Sequence, residues 1–205
     1  MPSCAVSILP SVSRPSPPHR RTWLAIAALI AGMAVLQALP ADARAALRFD
    51  RAALLDGELW RLFTAHLVHL GWAHWALNAM GLVLCGVLAN PLPSPGRLLA
   101  RLAVLGLGVS LMLLAFDPSL THYVGLSGVL YGLFVLTLWP QARRGDVLGG
   151  VALATVLGWM TWQWVVGPVA SEVALIGGAI VAQAHAYGVA GAIVLLMLER
   201  PFKWE

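Results

Sequence analysis

The sequence predicts an all-α membrane protein, a bundle of six transmembrane helices, on three observations. Of its 205 residues 60% are hydrophobic and only 11% charged, whereas soluble globular chains carry about a quarter charged residues. Six apolar segments, at residues 22–40, 71–90, 97–115, 126–139, 147–166 and 180–198, run near the roughly 20 residues that cross a bilayer as a helix, the fourth being short. The turns between them hold Pro91, Pro93, Pro95, Gly96, Pro118, Pro140, Gly145, Gly167 and Pro168, residue types that interrupt regular structure.

Residues 1–21 are rich in Pro, Ser and Arg without an apolar period, which predicts a disordered basic tail. The first span follows it. HRRTW, an apolar run and then ALPADARA together have the look of a signal peptide, and the paired arginines hint at the twin-arginine kind. The run is longer than the roughly 7 to 15 residues of a signal core, and more spans follow, so a retained first helix is expected. One membrane domain then covers residues 22–199, with a short tail at 200–205 and no soluble module.

The arginines set the orientation. With both termini cytoplasmic, the inner segments hold Arg14, Arg20, Arg21, Arg97, Arg101, Arg143, Arg144, Arg200 and Lys203, against Arg44, Arg48, Arg51 and Arg61 outside. That asymmetry obeys the positive-inside rule. It also accounts for the net charge of +4 without nucleic acid as a partner, because the basic residues are dispersed between spans rather than gathered on one face. The partners this leaves are membrane lipids. Cys4 and Cys85, one in the tail and one within a span, do not form a disulfide.

The polar residues inside the spans need reasons, since they are costly to bury there. WRLFTAHLVHLGWAHWALN, residues 60–78, brings three histidines and an asparagine to the outer end of the second span. His66 and His69 read as loop anchors. His74 and Asn78, four residues apart, share one helix face and ask for a common polar partner. Metal is not expected: the separations of three and five differ from HExxH, and no Cys, Asp or Glu accompanies the histidines inside the spans.

In YVGLSGVLYG, residues 123–132, Ser127 reads either as a helix cap or as a nucleophile. The small-residue strips Gly128 and Gly132, in the fourth span, and Gly188 and Ala192, in the sixth, predict close approach of those two helices. At the outer ends of the strips stand Ser127 and His185. A serine beside an imidazole in a water-poor site is the minimum for nucleophilic acyl transfer. The Ser127 amide, His74 and Asn78 then read as oxyanion donors, and Tyr131, one turn below Ser127, as a ring packing under His185. Asp117, Glu172 and the loop acids read as solvated, so the expectation is a Ser-His dyad without a carboxylate. Trp159, Trp162 and Trp164 read as an interfacial belt or, more sharply, as a gate between the second and fifth helices.

GLSG at 125–128 with Tyr131, the WRLFT start at 60–64, the spacing of His69, His74 and Asn78, and AHAYG at 184–188 resemble the rhomboid intramembrane serine proteases. The resemblance covers about residues 22–199. It implies a six-helix rhomboid-like bundle whose short fourth helix lifts the serine to the floor of a water-filled cavity below the outer membrane surface. It implies Ser127 as nucleophile, His185 as base, His74 and Asn78 as oxyanion donors, and Gly188 as the close-packing glycine behind the base. Asn90 departs from the pattern, standing where many rhomboids carry a glutamate.

A narrower likeness, in LRFDRAALLDGELWRLFTAHLVHLGWAH and YVGLSGVLYG, is to the bacterial rhombosortase subgroup. That resemblance implies substrates that are exported proteins ending in a Gly-Gly motif, a transmembrane segment and a basic tail, cut in the inner membrane at its periplasmic face with no cofactor. Tyr131 departs from it, because much of that subgroup has histidine there. The alternatives are a general rhomboid protease acting on other single-span proteins and a non-catalytic rhomboid-like binding protein.

Overall fold

The structure is a computed structural model that describes residues 17–199. The tail expectations for residues 1–16 and 200–205 lie outside the described residues. The first helix, α1 (Pro17–Gln37), takes in the last five residues of the stretch expected to be disordered, so helix starts earlier than the composition indicated. Its Thr22 hydroxyl donates to the Pro93 carbonyl at 2.8 Å, tying the start of α1 to the turn before the third long helix.

The segment between the first two long helices is more ordered than its composition indicates. It folds into α2 (Ala41–Ala45), a two-residue strand β1 (Phe49–Asp50), α3 (Arg51–Leu55) and α4 (Arg61–Thr64). Strand β1 pairs antiparallel with β2 (His122–Tyr123), Phe49 opposite Tyr123 and Asp50 opposite His122. This two-residue clasp is an addition to a mostly helical fold, and it draws the segment 41–70 onto the loop that leads to Ser127.

Three polar groups hold the clasp. The Arg51 guanidinium donates to the carbonyls of Leu113, Leu114, Asp117 and Leu120, at 2.8 to 3.0 Å. It thereby satisfies the orphan acceptors at the end of the third long helix with a cation at the negative pole of its dipole. Arg61, 8% exposed, donates to the carbonyls of Ala45 and Arg48 and pairs with Glu58. Thr64 donates to the Leu47 carbonyl at 2.6 Å. The WRLFT stretch thus holds the scaffold together through Arg61 and Thr64.

Asp50 caps α3 through the Ala53 amide and faces His122 at 3.1 Å and Arg48 at 3.6 Å. Burial pushes its carboxyl up, but the Ala53 amide and the charges of His122, Arg48 and Arg61 outweigh it and hold the carboxyl below its ordinary 3.8. A depressed native pKa contributes stability that is present above the unfolded value and is lost as pH falls through the native one. Asp50→Asn is therefore expected to lower thermal stability at neutral pH and above, with the difference from wild type closing as pH falls below about 4, so that the acid limb of the variant is flatter. Identical acid limbs for the two proteins in a pH series of melting curves would refute the assignment.

Five further long or apolar helices complete the bundle: α5 (Trp72–Leu88), α6 (Pro95–Phe116), α7 (Ser127–Arg143), α8 (Val147–Val165) and α10 (Ala182–Leu198), with a short α9 (Ala170–Ile176) before the last. By length and composition α6 is the one helix among the described residues apolar and long enough to cross a membrane, while α5 and α10 are apolar but 17 residues each. Ser94 caps α6 and Pro95 occupies its first turn, so Pro95 and Gly96 begin a helix rather than a turn.

Helix α7 is the axis of the fold. It packs on α5, α6, α8 and α10, and Val129, Leu133, Leu136 and Leu138 are buried along it. It runs past Pro140, which was expected to end it; Gln141, buried at 4% exposure, donates its side-chain amide to the carbonyls of Thr137 and Leu88. The side-chain amide adds a donor, on Thr137, at the turn that proline disrupts, and through Leu88 it anchors the end of α5 to α7.

Candidate active site

Ser127 is the first residue of α7, and Leu126, not the serine, occupies the cap position. The serine side chain is therefore free of capping duty. Its Oγ lies 3.0 Å from Nε2 of His185, near the start of α10. The two helices meet this closely because glycine lines their contact: a Cβ on Gly128 would stand 2.7 Å from the Ala184 carbonyl oxygen, and one on Gly132 would stand 2.5 Å from that of Gly188. A Cβ on Gly188 would collide with the Gly128 carbonyl oxygen. The strips legible in the sequence are this contact.

With the hydroxyl donating to Nε2, the neutral His185 ring carries its proton on Nδ1. That Nδ1 is buried without a hydrogen-bond partner among the described residues. The ring is held by stacking: Tyr131 lies under it, centroids 4.4 Å apart and planes 27° apart. The carboxylates expected to be solvated are half-buried and each has a side-chain partner; Glu172 also lines the cavity that holds Ser127. Asp117 accepts from the Tyr187 hydroxyl at 2.7 Å, and Glu172 accepts from the Gln163 amide at 3.0 Å. A long-range partner brought by α8 or α10 cannot be read from local sequence.

His74 and Asn78 share the inner face of α5, at 8% and 3% exposure. The Leu70 amide donates to His74 Nδ1 at 3.3 Å, which places the neutral ring's proton on Nε2. That nitrogen rests on the backbone leading to the serine, since a Cβ on Gly125 would fall 2.8 Å from it. Gly125 has φ +114°, a conformation suited to glycine, so residue type and contact agree there. The Asn78 side-chain nitrogen is buried with no partner among the described residues, an unused donor there. His69 is buried edge-on against His74, centroids 5.1 Å apart, and neither of its ring nitrogens has a partner among the described residues.

Ser127, His185, His74, Asn78 and Tyr131 all line one cavity of about 580 Å³. Between α5 and α8 its wall is apolar, formed by Met80, Leu84, Val156 and Trp159. Of the three clustered tryptophans Trp159 lines the cavity; Trp162 and Trp164 are half exposed and do not. Sequence reasoning missed Arg48 and His122, which reach the cavity because the β1–β2 pairing carries them there. No periodic signal announces a two-residue strand.

A family model described as the Rhomboid domain matches residues 56–202. Over 143 residues, 70% of this chain and 68% of the relative, the sequence is 24% identical to the Bacillus subtilis (strain 168) protein named "Putative rhomboid protease YdcA". It is 30% identical over 83 residues to "Rhomboid protease GluP" of the same organism, which spans 40% of this chain but 16% of that much longer relative. With the family model covering most of its length from α4 to α10, the chain belongs to the Rhomboid domain family of membrane proteins.

Proposed function

We propose that this protein is an intramembrane serine endopeptidase using Ser127 and His185 as a dyad. The observation that carries the reading is the 3.0 Å contact between Ser127 Oγ and His185 Nε2 in a cavity also lined by His74 and by Asn78, whose side-chain nitrogen has no partner among the described residues. In acylation, Oγ attacks the scissile carbonyl carbon while Nε2 takes the hydroxyl proton. The tetrahedral oxyanion accepts from the Ser127 amide, His74 Nε2–H and Asn78. On its collapse the C–N bond breaks and the imidazolium returns the proton to the leaving amine. Water then enters, gives a proton to His185 and releases the acyl group from Ser127.

In this reading α1, α5, α6, α7, α8 and α10 are the six membrane-crossing helices, with both termini cytoplasmic in a bacterial inner membrane and the cavity open to the outer face. A substrate span reaches the cavity past the apolar wall between α5 and α8. A helix hides its amides, so the substrate must unwind before Ser127 can reach a carbonyl. Glycine lowers that barrier by about 1 kcal/mol per residue relative to alanine. The subgroup likeness therefore points to rhombosortase activity, with Gly-Gly followed by a transmembrane segment and a basic tail as the target.

The test is co-expression with a reporter carrying such a tail, followed by intact-mass mapping of the product's new C-terminus. Cleavage beside the glycines is expected. A reporter left whole while a generic single-span substrate is cut would replace the tail-processing reading by that of a general rhomboid protease.

A further inference from the structure

Behind the loop that carries Ser127 lies a polar cluster whose histidine and serine, His66 and Ser110, do not line the cavity. His66, 3% exposed, has Nδ1 3.3 Å from the Gly125 carbonyl oxygen and Nε2 2.8 Å from that of Gly106 and 2.9 Å from the Ser110 hydroxyl. Ser110, fully buried on α6, reaches the Leu62 carbonyl at 2.8 Å. The ring lies against α6 where glycine leaves room, since a Cβ on Gly106 would come within 3.0 Å of its Cδ2. Tyr123, stacked edge-on with His66, donates its hydroxyl to the same Gly125 carbonyl at 3.0 Å. The Gly125 amide is held in turn by the Ala65 carbonyl at 2.9 Å. Every polar group of this one glycine is thus tied to residues 65–66 or to Tyr123.

A carbonyl oxygen has no hydrogen to give, so either ring contact with a carbonyl is a hydrogen bond only when that nitrogen carries the proton. The neutral ring has one proton: on Nδ1 it goes to the Gly125 carbonyl, with the Ser110 hydroxyl turned to Nε2; on Nε2 it goes to Gly106 or Ser110 and leaves the Gly125 carbonyl to Tyr123. The peptide from Gly125 to Leu126 is planar, so a carbonyl held by His66 and Tyr123 fixes the opposite direction for the Leu126 amide and the approach of the chain to Ser127. Glycine at φ +114° does not itself hold one peptide orientation. The donors on its carbonyl choose it.

We propose that His66, braced on α6 by Ser110, is a positioning residue for acyl transfer: it locks the Gly125 carbonyl, and through it sets both Ser127 and the backbone on which the donor nitrogen of His74 rests. The proposal rests on the protease reading above. It predicts a loss in the chemical step rather than in substrate binding, because His66 touches neither the cavity nor the apolar wall.

The experiment uses the full chain in liposomes with a single-span substrate that wild type cuts and Ser127→Ala does not. Active sites are counted by fluorophosphonate labelling to completion. His66→Leu, which keeps volume and removes the donor, is expected to lower kcat per labelled site by about 10²-fold with KM within about twofold, the scale of a small misplacement at the reacting centre. His66→Asn, whose amide nitrogen takes the place of Nδ1, is expected to recover at least about tenfold of that loss. Ser110→Ala gives an independent reading where His66→Leu folds poorly, with a kcat loss of about three- to tenfold at unchanged KM. Wild-type kcat per labelled site in His66→Leu or in Ser110→Ala, or a His66→Asn variant no better than His66→Leu, overturns the proposal. Failure of the parent reading looks different: wild type and Ser127→Ala would then behave alike.

Discussion

Ser127→Ala and His185→Ala are each expected to lower cleavage by about 10⁴-fold or more, and the double variant to be hardly worse than either alone, because the two groups act as one unit. The physical ground is that neither half of the pair suffices. An alcohol at neutral pH is a weak nucleophile unless a base takes its proton as it attacks, and His185 Nε2 stands 3.0 Å away for that purpose. Removing one oxyanion donor, in His74→Ala or Asn78→Ala, is expected to cost about 10² to 10³ in kcat, or about 3 to 4 kcal/mol. Single-turnover rates on a reconstituted substrate, with thermal unfolding in detergent as the folding control, separate these values. Full cleavage by Ser127→Ala would end the serine mechanism, and additive losses in the double variant would end the dyad.

The residues that could be read from sequence are those whose meaning is local. His74 and Asn78 are four apart, so their shared face follows from helix geometry, and the structure buries both on the inner side of α5. The strips of Gly128 with Gly132 and Gly188 with Ala192 are periodic for the same reason, and α7 does meet α10 along them. What was not legible is what depends on a partner far away in the chain. Arg51 looked like one more outer arginine, yet it caps α6 across more than sixty positions. Asp117 looked solvated, yet it takes the Tyr187 hydroxyl. His66 looked like a loop anchor; that description stands, but only the fold shows that the loop it anchors holds Gly125. In a membrane the apolar surface does little to choose between helix pairings, so such hydrogen bonds and close backbone contacts carry the selection. They leave little trace in a hydropathy profile.

Gly188→Val is expected to be the most disruptive single change in the bundle outside the dyad. The added carbon would occupy the position of the Gly128 carbonyl oxygen, which belongs to a helix backbone and has no rotamer by which to move aside. The main remedy is to part α7 from α10, and those helices carry Ser127 and His185. Overpacking of this kind costs about 1 to 3 kcal/mol even where side chains can adjust. A displacement of about 1 Å between nucleophile and base costs about 10²-fold in rate. The variant is therefore expected to lose both thermal stability in detergent and fluorophosphonate labelling of Ser127, and the two losses need not scale together. Gly188→Ala sharpens the test, since it adds a single methyl at the same contact: it is expected to remain folded with slowed labelling. Unchanged labelling and melting in Gly188→Ala would mean that α7 and α10 have slack at this crossing, and that the spacing of Ser127 and His185 is set elsewhere.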